Sequence, residues 1–180
     1  MDGVVASGDL TYFDAIQPGF GDRLADLGRP IYAIPGNHES DDRMYDLRRF
    51  HPFWVDVSYK VVDTGAFLVG GIPGSNEWWP DLKYDMELAR HMAAIIKPAR
   101  RDKPFVILVH IPPSGCGIDG TRKHTSDAGG NATARKVIEI LKPDLVVTGH
   151  YHQHFGERGQ VDGIPVYNPG PTGSFIEIPV

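Results

Sequence analysis

The 180-residue chain has a single cysteine, no excess of positive charge and no hydrophobic run long enough to span a bilayer. Because a disulfide needs two cysteines and Cys116 is the only one, the chain cannot form an internal disulfide. Nothing in the sequence therefore requires an oxidising compartment. A net charge of -5 gives no electrostatic reason to expect general affinity for nucleic acids or acidic membranes. The first residues lack the basic segment and apolar stretch of a secretion signal. These absences predict a cytoplasmic protein without a membrane partner.

The composition is that of an ordinary globular domain, with 41% hydrophobic and 23% charged residues. A chain of this length can bury a real core within one domain. No repeat, low-complexity tract or linker divides the sequence. We therefore expect a single domain over residues 1–180.

Apolar runs typical of strands alternate with stretches of helical periodicity, which predicts an α/β fold. The predicted strands cover residues 4–7, 30–34, 57–62, 67–70, 105–109, 145–148, 157–161, 164–167 and 175–178. The predicted helices cover residues 15–27, 41–50, 84–97 and 133–142. Hairpin connections are expected at Asp63-Thr64-Gly65 and at Asp162-Gly163.

Four polar fragments each follow the end of a predicted strand. They are Gly8-Asp9, Gly36-Asn37-His38-Glu39, His110 and Gly149-His150-Tyr151-His152. Because loops at the carboxyl ends of strands converge in open α/β sheets, we expect these fragments to form one site. Carboxylate, amide and imidazole groups suit divalent cations such as Mn²⁺, Fe²⁺ and Zn²⁺. The three glycines are expected to permit the torsions and close backbone approach that a crowded ion requires.

The ordered series GD, GNHE, H and GHxH resembles the calcineurin-like metallophosphoesterase superfamily. The resemblance extends from Gly8 to His152, and the segment ending in Asn168-Pro169-Gly170 resembles the C-terminal part of that family. A lone GD or GH dipeptide carries little information, whereas the ordered set at strand ends is specific. The resemblance implies an α/β fold of the metallophosphoesterase type, a layered β-sandwich with flanking helices, and a hydrolase that acts on phosphoesters.

The resemblance assigns metal-binding roles to five side chains. Asp9 corresponds to a carboxylate that bridges two ions, and the remaining ligands of the first ion correspond to Asn37, His110 and His150. His152 corresponds to a ligand of the second ion. Two Mn, Fe or Zn ions about 3.5–4 Å apart would bind phosphoryl oxygens and activate a bridging hydroxide for in-line attack.

The resemblance also implies a catalytic role for His38, which corresponds to a histidine that contacts the substrate phosphate and assists departure of the leaving group. An imidazole suits general acid catalysis because it titrates near neutral pH. Glu39 or Asp41 is placed to orient its ring.

The first motif of the superfamily, an Asp-x-His on an earlier strand, is missing. Only eight residues precede Asp9, and Asp2 would lie about 23 Å away at the far end of its strand. We expect the fold to lack its first strand and to have an unpaired edge beside the site, which favours a homodimer. Three explanations stay open: an N-terminally truncated piece of a longer phosphoesterase, which we favour, substitute ligands, or a shortened homologue. In a shortened homologue the His150 site would fill first and the His152 site would be weak.

Tyr12 and two loops have alternative interpretations. The spacing Gly8-Asp9-Leu10-Thr11-Tyr12 matches that of purple acid phosphatases, in which the tyrosine ligates ferric iron, but we favour packing of Tyr12 on the following helix. Trp78 and Trp79 could stack an aromatic group, although packing at a sheet edge is favoured. In the loop 112–131, Arg122 and Lys123 could bind phosphate, although solvent-exposed charges are favoured.

The sequence therefore predicts metal-dependent hydrolysis of phosphodiesters or phosphomonoesters by metal-bound hydroxide. The expected partner is a phosphate-ester small molecule or a nucleotide. The alternative is a non-catalytic or weakly active metal-binding interaction module that has lost the first ligand motif.

Overall fold

The computed structural model describes residues 2–74, 82–120 and 129–178. Within these ranges the strands are β1 (Val4–Ala6), β2 (Ile31–Ala33), β3 (Trp54–Asp56), β4 (Val61–Asp63), β5 (Leu68–Ile72), β6 (Phe105–Val109), β7 (Leu145–Thr148), β8 (Arg158–Val161) and β9 (Ile164–Tyr167). The helices are α1 (Phe20–Ala25), α2 (Asp41–Phe50), α3 (Leu82–Arg100) and α4 (Ala132–Leu141), with a 3₁₀ turn at His152–His154. The predicted α/β class is confirmed.

The strands form two sheets. Strands β1, β2 and β3 are all parallel and pair in that order, with Val5 opposite Tyr32 and Tyr32 opposite Val55. The second sheet has the order β4-β5-β6-β7-β9-β8, in which β4 and β8 are antiparallel to their neighbours and the other pairings are parallel. The carboxyl ends of β6 and β7 therefore lie at the same rim.

Alternation along β6 shows how the layers assemble. Phe105, Ile107 and Val109 pack with α3 and α4, through residues such as Met92 and Ile138. The intervening residues of β6 face the smaller sheet and pack in a second core that contains Tyr32, Ile34 and Val57. On its outer face the smaller sheet packs against Met44 and Leu47 of α2. The result is the predicted β-sandwich with flanking helices, because successive buried side chains of β6 point to opposite faces of the sheet and enter two cores.

Local chemistry sets two of the element ends. Ser40 begins α2, since its Oγ accepts a hydrogen bond of 3.2 Å from the backbone N–H of Arg43. The predicted β8–β9 hairpin turns at Asp162 and Gly163, with φ of 49° and 84°. Two positive φ values in succession characterise the tight turn that matches strand twist, and glycine adopts them readily.

The helix over 15–27 and the strands over 57–62 and 175–178 were predicted wrongly in extent or type, and one strand was not predicted. The strand expected over 57–62 begins only at Val61, in β4. The helix expected over 15–27 is reduced to the six residues of α1, because Gln17 to Phe20 form a turn in which Gly19 has a φ of 70°. Residues 54–56 form a strand of the smaller sheet that was not predicted. Residues 175–178 form no strand, and Phe175 is 91% exposed.

The strand before Gly8-Asp9 lies at a sheet edge, as expected: among the described residues, β1 pairs with β2 alone. No helix in the described parts of the chain is long and apolar enough to cross a membrane. Trp78, Trp79, Arg122 and Lys123 lie outside the described residues, so their interpretations stay predictions.

Candidate metal centre

Four of the predicted ligand residues converge at the carboxyl ends of four strands. Asp9 follows β1, Asn37 follows β2, His110 follows β6 directly, and His150 follows β7. Ligand atoms of Asp9, His110 and His150 all lie within 4.8 Å of one another. The Oδ1 atom of Asn37 lies 2.8 Å from His110 Nε2 and 2.8 Å from His150 Nδ1. Two of the side chains come from each sheet, and together they form the candidate metal centre.

The buried His110 is fixed by a hydrogen bond on the side away from this centre. Its Nδ1 donates to the Ser7 carbonyl oxygen at 2.8 Å, and its side chain is fully buried. This bond sets the tautomer, because a neutral imidazole that donates through Nδ1 carries its lone pair on Nε2. Nε2 lies 3.4 Å from Asp9 Oδ2 and faces Asn37. His110 is therefore held in the orientation of a metal ligand.

The donor set fits a divalent cation. In this tautomer, His110 Nε2 and Asn37 Oδ1 both present lone pairs to each other at 2.8 Å, with the Asp9 carboxylate beside them. Acceptors this close need a cation among them or a rotated amide to relieve their repulsion. One carboxylate, one amide oxygen and two imidazoles are suitable ligands for Mn, Fe or Zn. Their assignment as ligands stays a prediction.

Burial favours the neutral form of both histidines of the centre. It lowers the pKa of His110, and the nearby Asp9 carboxylate and the Ser7 carbonyl oppose this effect only in part. Burial is also the largest cause of the lowered pKa of His150, followed by repulsion from His110. Because only an unprotonated imidazole nitrogen can bind a metal, a lowered pKa keeps both side chains ready to bind a cation.

Two of the three glycines are required by close approach. A Cβ on Gly8, whose φ is 93°, would overlap the Gly36 backbone, and a Cβ on Gly36 would overlap Asp9 Oδ1 and the His110 ring. Gly149 differs from this expectation, since a Cβ there would meet Ser7 Oγ at 3.4 Å, an ordinary contact. Asp9 and His150, which follow Gly8 and Gly149, also have positive φ values, of 55° and 64°. Such torsions in non-glycine residues are unfavourable and concentrate at functional sites.

Glu39 holds the two ligand loops together, a role that differs from the prediction. Its carboxylate accepts hydrogen bonds of 2.8 Å from the backbone N–H groups of Asp9, Thr11 and Gly36, and one of 2.9 Å from Thr11 Oγ1. Glu39 is 8% exposed, and both of its carboxylate oxygens accept hydrogen bonds from these donors, so it does not orient the His38 ring. The spacing of three residues from Gly36 to Glu39 was the available signal, because it suits a carboxylate bonding back to an N–H.

His38 and His152 lie beside the centre. The His38 backbone N–H donates to Asp9 Oδ1 at 3.1 Å, while its ring stacks on Phe13 with centroids 4.2 Å apart. His152 is exposed, and its ring lies 4.8 Å from that of Phe155. Tyr12 does not pack on the following helix as favoured: it is 68% exposed, and its ring contacts His38 and Phe13.

Comparison with known proteins agrees with this geometry. A family model described as calcineurin-like phosphoesterase matches residues 2–154. No curated protein sequence matches the chain significantly.

Three solved structures share the fold. One matches 88% of this chain and 62% of its own, with a TM-score of 0.63 and 18% identity. A protein of Thermus thermophilus matches 84% of this chain and 68% of its own, with a TM-score of 0.57 and 18% identity. A Staphylococcus aureus protein provisionally named a 5'-nucleotidase, in complex with alpha-ketoglutarate, matches 86% of this chain and 34% of its own, with a TM-score of 0.54 and 17% identity.

The chain thus spans less than two thirds of the first of these structures. At such identities the likeness extends to the fold alone, whereas the family match covers most of the chain. The chain belongs to the calcineurin-like phosphoesterases, a family of hydrolases that act on phosphate esters.

Proposed function

We propose that the protein hydrolyses phosphodiesters or phosphomonoesters at the candidate metal centre. The observation that carries the proposal is the convergence of Asp9, Asn37, His110 and His150 from four strand ends. A divalent cation bound there would polarise a phosphoryl oxygen and lower the pKa of a water molecule. The chain supplies the framework that holds this donor set in place.

The residues around the centre have separate roles in this proposal. Asp9, Asn37, His110 and His150 would hold one cation, and His152 would contribute to a second. Ser7 keeps a lone pair on His110 Nε2, because its carbonyl oxygen accepts a hydrogen bond from Nδ1–H. His38 would donate a proton to the leaving oxygen, since its backbone is anchored to Asp9 and its ring lies outside the ligand cluster.

Hydrolysis of bis(p-nitrophenyl) phosphate with Mn²⁺ tests the proposal. We expect Asn37→Ala and His150→Ala each to lower kcat/KM by at least about 100-fold, because each removes a ligand of the same cation. His91→Ala is the matched control, since His91 is exposed on α3 away from the strand ends. Its kcat/KM should equal that of the unmodified chain.

The outcomes separate the two classes of function. Hydrolysis that is absent, or that survives both ligand substitutions, would contradict the enzymatic proposal. Mn²⁺ binding by Asn37 and His150 without any hydrolysis would instead support the metal-binding interaction module.

Metal stoichiometry tests the assignment of ligands to the two cations. We expect equilibrium dialysis with Mn²⁺ to show one tightly bound ion and a second, weaker one, because His152 is exposed and lies outside the ligand cluster. His152→Ala should abolish the weak site and leave the tight site unchanged. Loss of the tight site in His152→Ala would show that the assignment is wrong.

Substrate and assembly are further parts of the proposal. A nucleotide is the substrate class to test first, because a provisional 5'-nucleotidase shares the fold. The edge of β1, which among the described residues pairs with β2 alone, supports a homodimer, which light scattering after size exclusion would detect. Mn²⁺, Fe²⁺ and Zn²⁺ all suit the donor set. Elemental analysis of protein purified without added metal would identify the native ion.

A further inference from the structure

Two exposed aromatic side chains lie beside His38 in a turn with an unfavourable backbone conformation. Tyr12 and Ala15 exchange both backbone hydrogen bonds, at 3.2 and 3.0 Å, so Phe13 and Asp14 form a two-residue turn. Their φ values are 48° and 64°. Tight turns of this kind favour asparagine and glycine, and a positive φ is a genuine outlier for a bulky aromatic residue. Asp14 is a residue type common in turns, but Phe13 is not.

The turn is fastened to the loop that carries His38. The Asp14 N–H donates to the His38 carbonyl oxygen at 3.0 Å, and Asp14 Oδ1 accepts a hydrogen bond of 2.8 Å from the Ser40 N–H. These bonds fix the Phe13 ring against His38, with centroids 4.2 Å apart and planes 26° apart. The backbone that carries the ring is therefore joined to the His38 loop by hydrogen bonds at His38 and at Ser40.

The turn conformation at Phe13 does not bury the aromatic ring. Phe13 is 65% exposed and Tyr12 is 68% exposed, and their rings contact each other edge to face at 5.0 Å. An exposed pair of aromatic rings and a positive φ are both unfavourable for an isolated domain. Both become useful if the rings contact a ligand that arrives next to His38.

The geometry points to Phe13 and Tyr12 as specificity-determining residues that form an aromatic wall of the substrate site. This inference rests on the proposed function, in which the leaving group departs next to His38. His38 is joined to the candidate metal centre through its N–H bond to Asp9 Oδ1, so a phosphoryl group at that centre has its leaving group close to the stacked Phe13 ring. The wall selects phosphoesters that carry an aromatic group, because aromatic faces and edges attract one another.

Phosphonate binding tests the inference without turnover, because the carbon–phosphorus bond is not hydrolysed. With Mn²⁺ present, we expect the full chain to bind phenylphosphonate about 5- to 10-fold more tightly than methylphosphonate, measured by isothermal titration calorimetry. Phe13→Asn should reduce this preference below about 2-fold, since it removes the ring. The affinity for methylphosphonate should not change.

Phe13→Asn also protects the test from misfolding. Asparagine adopts positive φ more readily than phenylalanine, so the variant should have an equal or higher urea midpoint. Phe175→Asn is the matched control, since Phe175 is 91% exposed and makes no aromatic contact with His38 among the described residues. It should keep the full preference for phenylphosphonate.

The results distinguish this inference from the proposed function. The aromatic wall is overturned if the preference for phenylphosphonate is absent or survives Phe13→Asn. It is also overturned if Phe13→Asn lowers the affinity for both phosphonates equally, because Phe13 would then only position His38. Hydrolysis without the preference overturns this inference alone, and the preference without hydrolysis overturns the proposed function alone. A parallel comparison of adenosine 5'-phosphate with ribose 5-phosphate shows whether a nucleobase or only a directly attached aryl group reaches the wall.

Discussion

Replacing Glu39 with alanine is expected to lower the free energy of unfolding by about 4 kcal/mol and to weaken Mn²⁺ binding at least about 100-fold. The physical reason is the number of donors that one carboxylate satisfies. The N–H groups of Asp9, Thr11 and Gly36 would all lose their acceptor in a largely buried place. Urea denaturation measures the first effect and calorimetric titration with Mn²⁺ the second.

The size of this effect distinguishes Glu39 from an ordinary surface carboxylate. Glu87→Ala is the control, because Glu87 is exposed on α3 and alanine is a good helix former. Its unfolding free energy should change by less than about 0.5 kcal/mol. Glu39→Gln should lie between the two, since one amide oxygen still accepts while the amide NH₂ faces N–H donors. A Glu39→Ala variant as stable as Glu87→Ala would contradict the four hydrogen bonds assigned to Glu39.

A single methyl group at Gly36 is expected to weaken Mn²⁺ binding about 100-fold and to destabilise the fold by about 2 kcal/mol. The new Cβ would overlap Asp9 Oδ1 and the His110 ring, so Gly36→Ala pushes two candidate ligands apart. The backbone N–H of Asp9 is also too close, so the strain cannot be relieved by a side-chain rotation alone. Calorimetric titration with Mn²⁺ and urea denaturation measure both effects.

Gly149→Ala is a closely matched control, because it precedes a candidate ligand in the same way. A Cβ at Gly149 would approach its nearest neighbour, Ser7 Oγ, at 3.4 Å, and Gly149 does not have a positive φ. We expect its unfolding free energy to change by less than about 1 kcal/mol and its metal affinity to be retained. Equal losses in the two variants would show that any added bulk near the centre is harmful and would contradict the specific overlap at Gly36.

Sequence patterns predicted the convergence of the four candidate ligands better than they predicted the residues that support them. Asp9, Asn37, His110 and His150 could be placed together because each follows an apolar strand, and parallel strands bring their carboxyl ends to one rim. The hydrogen bonds by which Glu39 joins the two ligand loops were not predicted. A carboxylate next to a histidine in the sequence is just as well placed to orient the histidine ring. Two of the three partner residues of Glu39, Asp9 and Thr11, lie 30 and 28 residues away in the loop after β1.

The same limit explains the errors in the fold. Residues 105–109 and 145–148 form central strands whose continuous apolar runs identify them without reference to other elements. The turn at Phe13 and Asp14 has only one residue typical of turns, Asp14, and its conformation also depends on bonds to His38 and Ser40. The period of the pattern before Gly28 therefore predicted a longer helix than the chain forms. Residues 175–178 have strand-like composition, but among the described residues they pair with no strand.

The division of the candidate ligands between the two sheets makes the centre sensitive to how the layers of the sandwich are aligned. Asp9 and Asn37 move with the small sheet, whereas His110 and His150 move with the large one. A slip of one sheet over the other by a fraction of a side chain would separate the pairs while every strand stayed intact. Substitutions deep between the layers, for example at Val57 or Val69, can therefore change metal affinity from a distance. Conversely, a bound cation would link the two sheets. Removing it with a chelator would then lower the stability of the whole sandwich and not only that of the loops at the rim.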